Sequence, residues 1–273
     1  MNSLYLTGKL LCRLCLISIA FISPFGFTSE NDLLSVEDNK LVIARGIGNY
    51  PPLEMVEGNR VTGLHIEIIR YVTSQLGMSV EFVSLPWVRA IKKFADGEVD
   101  AITYFGYTKE REKFSFYNEG NILSNTRWVF LALEERKHEF NLDSSLAGLE
   151  DLIIGVQHGY SYGKYFDGLK NITRDAVLNE ADVELMLKKK RHDLSLMSYQ
   201  EFSGFKNRGD FKGITALEAG IDSDPQYIAF SRTNRDLIRL KKLSELFAKE
   251  LERFKASDDY AELLIKYEFH RYR

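Results

Sequence analysis

The sequence predicts an α/β fold in two units, each a mostly parallel sheet covered by helices. Three observations carry that prediction. From Leu41 onward, short β-rich apolar runs alternate with segments of helical period. The charged stretch Glu134 to Glu139 and a Ser/Gly-bearing segment to Gly148 interrupt the alternation. A second strand and helix series then begins at Leu152.

Taken in order, Leu41 to Ile47 reads as a strand that stops at Gly48. His65 to Leu76 places Ile68, Ile69, Val72 and Leu76 on one helical face, and Gly77 ends it. Val80 to Leu85 is a strand, Val88 to Ala95 a helix closing at Gly97, and Val99 to Phe105 a strand. Trp128 to Leu133 is a further apolar run. In the second unit Leu152 to Val156 and Leu194 to Met197 read as strands, with an amphipathic helix, Ala181 to Lys190, between them. Gln226 to Ser231 is a strand, and helices from Arg235 to Phe254 and Asp258 to Phe269 close the chain. Ligands of such sheets bind beyond the carboxyl ends of the strands. The loops after Ile47, Leu85 and Phe105 are therefore where chemistry is expected.

The first stretch carries Lys9 and Arg13 without an acid, runs apolar from Leu14 to Ile22, and loosens at Ser23, Pro24 and Gly26. That is the profile of a cleavable signal peptide over residues 1–28. Its uncharged core is shorter than the about 20 residues a membrane span needs. Both cysteines, Cys12 and Cys15, fall in this segment, so the mature chain is expected to hold no thiol and no disulfide. A lipid anchor on Cys15 would require small residues before it, where Arg13 and Leu14 stand. Without residues 1–28 the chain carries 34 basic and 39 acidic residues, a formal net of −5. Such a balance gives no electrostatic footprint for nucleic acid.

Several phrases, in this order and spacing, resemble the bacterial extracellular solute-binding proteins of family 3, the polar-amino-acid class. They are Asn49-Tyr50-Pro51-Pro52-Leu53-Glu54, Val61-Thr62-Gly63-Leu64-His65-Ile66-Glu67, Gly97-Glu98-Val99-Asp100-Ala101-Ile102, and Thr108-Lys109-Glu110-Arg111 followed by Phe114-Ser115. Gly155-Val156-Gln157-His158-Gly159-Tyr160-Ser161, Arg191-His192-Asp193 and Tyr227-Ile228-Ala229-Phe230 extend the likeness more loosely. The resemblance implies a two-lobed periplasmic-binding-protein fold of type II, with two crossover hinge strands and a ligand cleft between the lobes. It divides the chain into the signal peptide 1–28, the first part of lobe 1 at 37–120, lobe 2 at 121–225, and a return to lobe 1 at 226–273. The crossings are expected near Asn118 to Thr126 and near Asp224 to Tyr227. The implied function is reversible capture of a small anionic solute in the periplasm by a monomer without a cofactor, with an inner-membrane ABC permease or a sensor as partner.

Arg111 stands where the family holds the ligand's carboxylate. Its guanidinium is a planar fork of donors suited to that group; the competing reading is a surface arginine paired with Glu110 or Glu112. Tyr50 and Trp87 fall at positions where family members place aromatic walls, although a core role for Trp87 is equally open. Arg89 could supplement Arg111 or form an ordinary ion pair. Tyr104 and Gly106 lie where the strand runs into the Arg111 loop, and Gly allows close backbone approach. His158, Gly159, Tyr160 and Ser161 fall at a loop-to-helix junction, where unpaired N–H groups favour an anion. Tyr160 and Ser161 are the contacts expected there, and His158 an ordinary loop residue. The acid that normally receives an α-amino group falls at Ser198. A hydroxyl cannot neutralise an ammonium. Either another acid such as Glu54 or Glu201 serves, or the ligand lacks the ammonium.

Some members of the fold resemble cyclohexadienyl dehydratases. Glu54, His65 and His158 are the formal candidates for the general acid such chemistry needs, but no paired arrangement is visible, and a non-enzymatic role is expected. The five histidines, His65, His138, His158, His192 and His270, show no paired spacing with carboxylates for a metal. Gly46-Ile47-Gly48 lacks the third glycine of a dinucleotide loop, and Pro51 and Pro52 interrupt the helix that should follow.

Overall fold

The computed structural model describes residues 39–143 and 145–269. The predicted signal peptide with Cys12 and Cys15 lies outside them, as does His270.

The first lobe is built on strand β1 (Lys40–Gly46), followed by a small hairpin, β2 (Met55–Glu57) and β3 (Arg60–Thr62). Helix α1 (Leu64–Gln75) starts at Gly63, whose φ of 116° and close approach to the Leu53 carbonyl require glycine. It turns Leu64, Ile66, Ile68, Ile69 and Val72 inward, the 3.6-residue pattern read from the sequence. Strand β4 (Ser79–Leu85), helix α2 (Trp87–Ala95) and strand β5 (Ala101–Gly106) follow. Both β4 and β5 lie parallel to β1. Under α2, Ala90 and Phe94 pack on Ala44, Ile102 and Phe105. A short strand, β6 (Ser115–Phe116), completes this part.

Two long strands then run through both lobes: β7 (Ile122–Leu133) and, later, β11 (Ile214–Ser231). They pair antiparallel with each other from Ile214 to Tyr227 of β11, while the far end of β11 pairs with β5. Between them in sequence come β8 (Ile153–Gln157), α3 (Lys164–Gly168), β9 (Thr173–Val177), α4 (Glu180–Lys188), β10 (Leu194–Ser198) and α5 (Tyr199–Asn207). The hydrogen-bonded order β4-β1-β5-β11-β7-β10-β8-β9 makes one curled sheet of the whole. In β7 the side chains alternate: Trp128, Phe130 and Ala132 enter one core, Val129 and Leu131 another. Both faces of the strand are covered from Trp128 onward, which is why that half reads as an unbroken apolar run. Helices α6 (Leu237–Lys255) and α7 (Asp258–Lys266) end the described chain, with α6 packed on α1 of the first lobe. This is the two-lobed type II architecture, and β7 and β11 are its crossover strands.

Several bounds differ from the sequence reading. The run Trp128–Leu133 is the second half of β7, and Gln226–Ser231 is the end of β11. Their earlier portions carry Ser124, Asn125, Thr126 and Arg127, or Asp222, Ser223 and Asp224, so no apolar run marks them. The β2–β3 hairpin, β9, α3 and α5 have no counterpart in the prediction.

Candidate functional site

Beyond the carboxyl end of β5 the chain makes one 3-10 turn, Arg111–Lys113. This turn leaves Arg111 buried, 8% exposed. Its Nη1 donates to the Gly106 carbonyl at 2.7 Å, its Nη2 donates to the Gly159 carbonyl of the second lobe at 2.9 Å, and its guanidinium lies 4.3 Å from the Phe105 ring centroid. Neither Glu110 nor Glu112 pairs with it; Glu112 accepts from the Tyr107 hydroxyl instead. The surface ion pair is therefore excluded. Burial lowers the Arg111 pKa, and Tyr117, Asp167 and Tyr160 act against that shift.

Trp87, at the start of α2, donates its indole N–H to the same Gly159 carbonyl at 3.1 Å. Its ring meets Phe105 and Tyr160 edge to face. Trp87, Tyr104, Gly106, Arg111, Tyr160 and Ser161 all line one cavity. Six predicted site residues from four separate stretches of sequence are thus brought together. Trp128 of β7 and Gln226 of β11 also line it, and sequence reading missed both. The cavity volume is about 10 Å³, room for roughly one water.

The other predicted residues sit differently. Tyr50 is buried and does not line that cavity; it is bridged by backbone to Glu54 and packed edge to face on Tyr104 at 6.0 Å. Arg89 and His158 are exposed. The helix after the 158–161 loop begins beyond Gly163 and has five residues. Ser161 Oγ and the Tyr162 N–H both donate to Asp167 and close the loop on itself. Ser198 is fully buried, and its Oγ accepts from the Glu201 N–H at 3.0 Å as the N-cap of α5.

That cap aims the first turn of α5 at the first lobe. Tyr104 holds an unusual φ of 53°, a strained region for a bulky residue, and donates its hydroxyl to Glu201 Oε1 at 2.5 Å. Burial, with Glu180 and Glu54 nearby, pushes the Glu201 carboxyl up to about 8, against the lowering effect of the Tyr104 hydrogen bond. Glu180 is likewise raised by burial, and its Oε1 accepts from Gln157 Nε2 at 2.6 Å. Glu54 differs. Burial opposes its ionisation, but His65, Arg45 and Thr103 together hold it below the usual carboxylate range. Arg45 Nε donates to Oε2 at 3.2 Å and Thr103 Oγ1 to Oε1 at 2.9 Å. His65 Nδ1 stands 3.6 Å from Oε1, beyond hydrogen-bond reach, while its Nε2 shares a 2.8 Å hydrogen bond with Ser124. Glu54 is therefore structural, with its charge already answered. Among the described residues, no lysine or arginine pairs with Glu180 or Glu201, and none of them groups into a metal-ion cluster.

A cleft between two lobes, lined by aromatic rings and one buried arginine, defines a binding protein. The model of the bacterial extracellular solute-binding proteins, family 3, matches residues 43–270, and the chain belongs to that family. Its fold is similar to holo ArgBP from T. maritima, with a TM-score of 0.68 at 18% identity over 85% of this chain and 96% of that one. The substrate binding protein of an amino acid ABC transporter gives 0.65 at 20% identity over 84% and 98%. A histidine kinase sensor domain with similarity to periplasmic binding proteins gives 0.69 at 15% identity over 83% and 95%. A search of curated protein sequences finds no match. Among the described residues, no helix is long and apolar enough to cross a membrane.

Proposed function

We propose that the chain captures a small carboxylate-bearing metabolite, a polar amino acid or related organic acid, reversibly and without catalysis. One observation carries this reading. Arg111 is a buried cation in the cavity whose hydrogen-bond partners are neutral carbonyls, while Glu180 and Glu201 are buried acids with neutral partners. A ligand bearing a carboxylate and an ammonium would answer both imbalances, with Glu201 supplying the acid that Ser198 lacks. An anionic ligand without the ammonium would answer the first and leave Glu201 neutral.

We place the work in the periplasm, after removal of residues 1–28, with lobes at 37–120 joined to 226–273 and at 121–225. The protein acts as a monomer that hands cargo to an ABC permease. The family and the transporter-linked structural neighbour support that role, and the sensor-domain neighbour supports signalling as the second reading. An enzyme of the dehydratase kind is favoured by one observation alone, a Glu201 carboxyl held neutral enough to donate a proton.

A thermal-shift screen across amino acids, 2-oxo acids and 2-hydroxy acids tests the reading, because a ligand of the folded state raises apparent stability. Arg111→Ala should weaken the hit by about 30-fold or more, the cost of removing one partner of a buried charge pair. Unchanged affinity in that variant would remove the anchor, and product formation on mass spectrometry would replace binding with catalysis.

A further inference from the structure

Two residues that line the cavity carry unclaimed donors. Trp128 Nε1 and Gln226 Nε2 are buried and have no hydrogen-bond partner among the described residues. Their side chains are 2% and 3% exposed and line the same cavity as Arg111. Gln226 and Arg111 both approach Gly106: a Cβ built there would stand 3.6 Å from Gln226 Nε2 and 3.7 Å from Arg111 Nη1.

Packing accounts for the rings but not for the N–H groups. The Trp128 indole meets Tyr162 edge to face at 4.8 Å and Tyr160 at 6.4 Å, contacts a phenylalanine could make equally well. An unpaired buried donor costs about 1–3 kcal/mol, and packed interiors hold few of them. Two such donors on residues that line one cavity is a pattern that a ligand resolves. The anchor also needs help. Arg111 commits one N–H of each Nη to a backbone carbonyl, and a carboxylate offers more acceptor sites than the remaining fork can fill.

We infer that Trp128 Nε1 and Gln226 Nε2 donate hydrogen bonds to the carboxylate end of the ligand beside Arg111, so that the anion seat includes both crossover strands. The inference rests on reading the cavity as a carboxylate site. It adds a link to the hinge. Gln226 pairs through its backbone with Gly106 of β5 and with Ser124 of β7, and the register shifts immediately beyond it. A ligand held by this side chain therefore touches the strand that must bend when the lobes part.

Isothermal titration of the parent with the common amino acids, pyruvate, lactate and succinate supplies the probe, the tightest binder being carried forward. Gln226→Leu, Gln226→Met and Trp128→Phe are then titrated with it and melted without it. Each should bind about tenfold more weakly or worse, the loss expected for a hydrogen bond to a charged group. The unliganded Gln226 variants should melt at or above the parent temperature, because an apolar group replaces an unpaired donor. Parent-like affinity in all three variants would overturn the inference and leave the carboxylate reading standing. Lower melting temperatures for both Gln226 variants would make the amide structural and also overturn it. A parent that binds no member of the panel would remove the carboxylate reading, and this inference with it.

Discussion

Arg111 Nη2 of the first lobe donates to the backbone carbonyl of Gly159 in the second at 2.9 Å. Trp87 Nε1 reaches the same oxygen at 3.1 Å. One carbonyl thus collects two donors from across the cleft, one of them from the residue best suited to hold a carboxylate. Under the proposed function, lobe contact and ligand contact share the same side chain, so the two must be weighed against each other whenever the cleft opens.

Trp87→Phe keeps an aromatic wall but removes one donor to Gly159. A hydrogen bond of about 1 kcal/mol shifts a two-state equilibrium about fivefold. Small-angle scattering of the ligand-free variant should show a larger radius of gyration than the parent. An identical scattering curve would mean that the indole N–H does not hold the lobes together.

Glu201→Gln tests the buried acid through pH. The carboxyl is pushed up from 4.5 to about 8 in the folded protein. Below the lower value it is neutral folded or unfolded and costs nothing. As pH rises toward about 8 the unfolded chain ionises while the folded one stays protonated, and the parent loses roughly 1.4 kcal/mol per pH unit. The variant should therefore match the parent near pH 4 and melt higher at pH 8. Parallel melting curves across that range would mean the carboxyl is not held neutral.

Ser198→Ala removes the cap of α5. The expected cost is about 1 kcal/mol, read as a lower midpoint in urea. Ligand affinity should change far less than in Arg111→Ala, since the hydroxyl serves the helix.

Gly63→Ala meets two obstacles at once, a φ of 116° and an added Cβ 2.3 Å from the Leu53 carbonyl oxygen. Strain and overpacking together should cost on the order of 3 kcal/mol. A urea midpoint equal to the parent's would show that the Leu53 turn yields freely.

What the sequence made legible follows from locality. Residues 64–76 reveal α1 because each inward side chain recurs at helical spacing, and the loop after β5 reveals Arg111 because the phrase around it is continuous. Trp128 and Gln226 escaped because each opens a run that reads as an ordinary strand, and Trp128 looks like any core tryptophan until its indole N–H is found unpaired. Ser198 read as a deficiency. It is a cap, and a buried acid, Glu201, stands three residues on and across one turn of helix. Glu54 looked equally available in the sequence, yet Arg45, nine residues away, already answers it. Pairings between distant strands decide which acids remain free, and no local pattern records them.

The chain contains two tryptophans, and both of them, Trp87 and Trp128, border the cavity. No third indole elsewhere dilutes their emission. The protein therefore carries an unlabelled optical gauge of its own cleft: entry of a solute or parting of the lobes changes the surroundings of every fluorophore of that kind in the molecule.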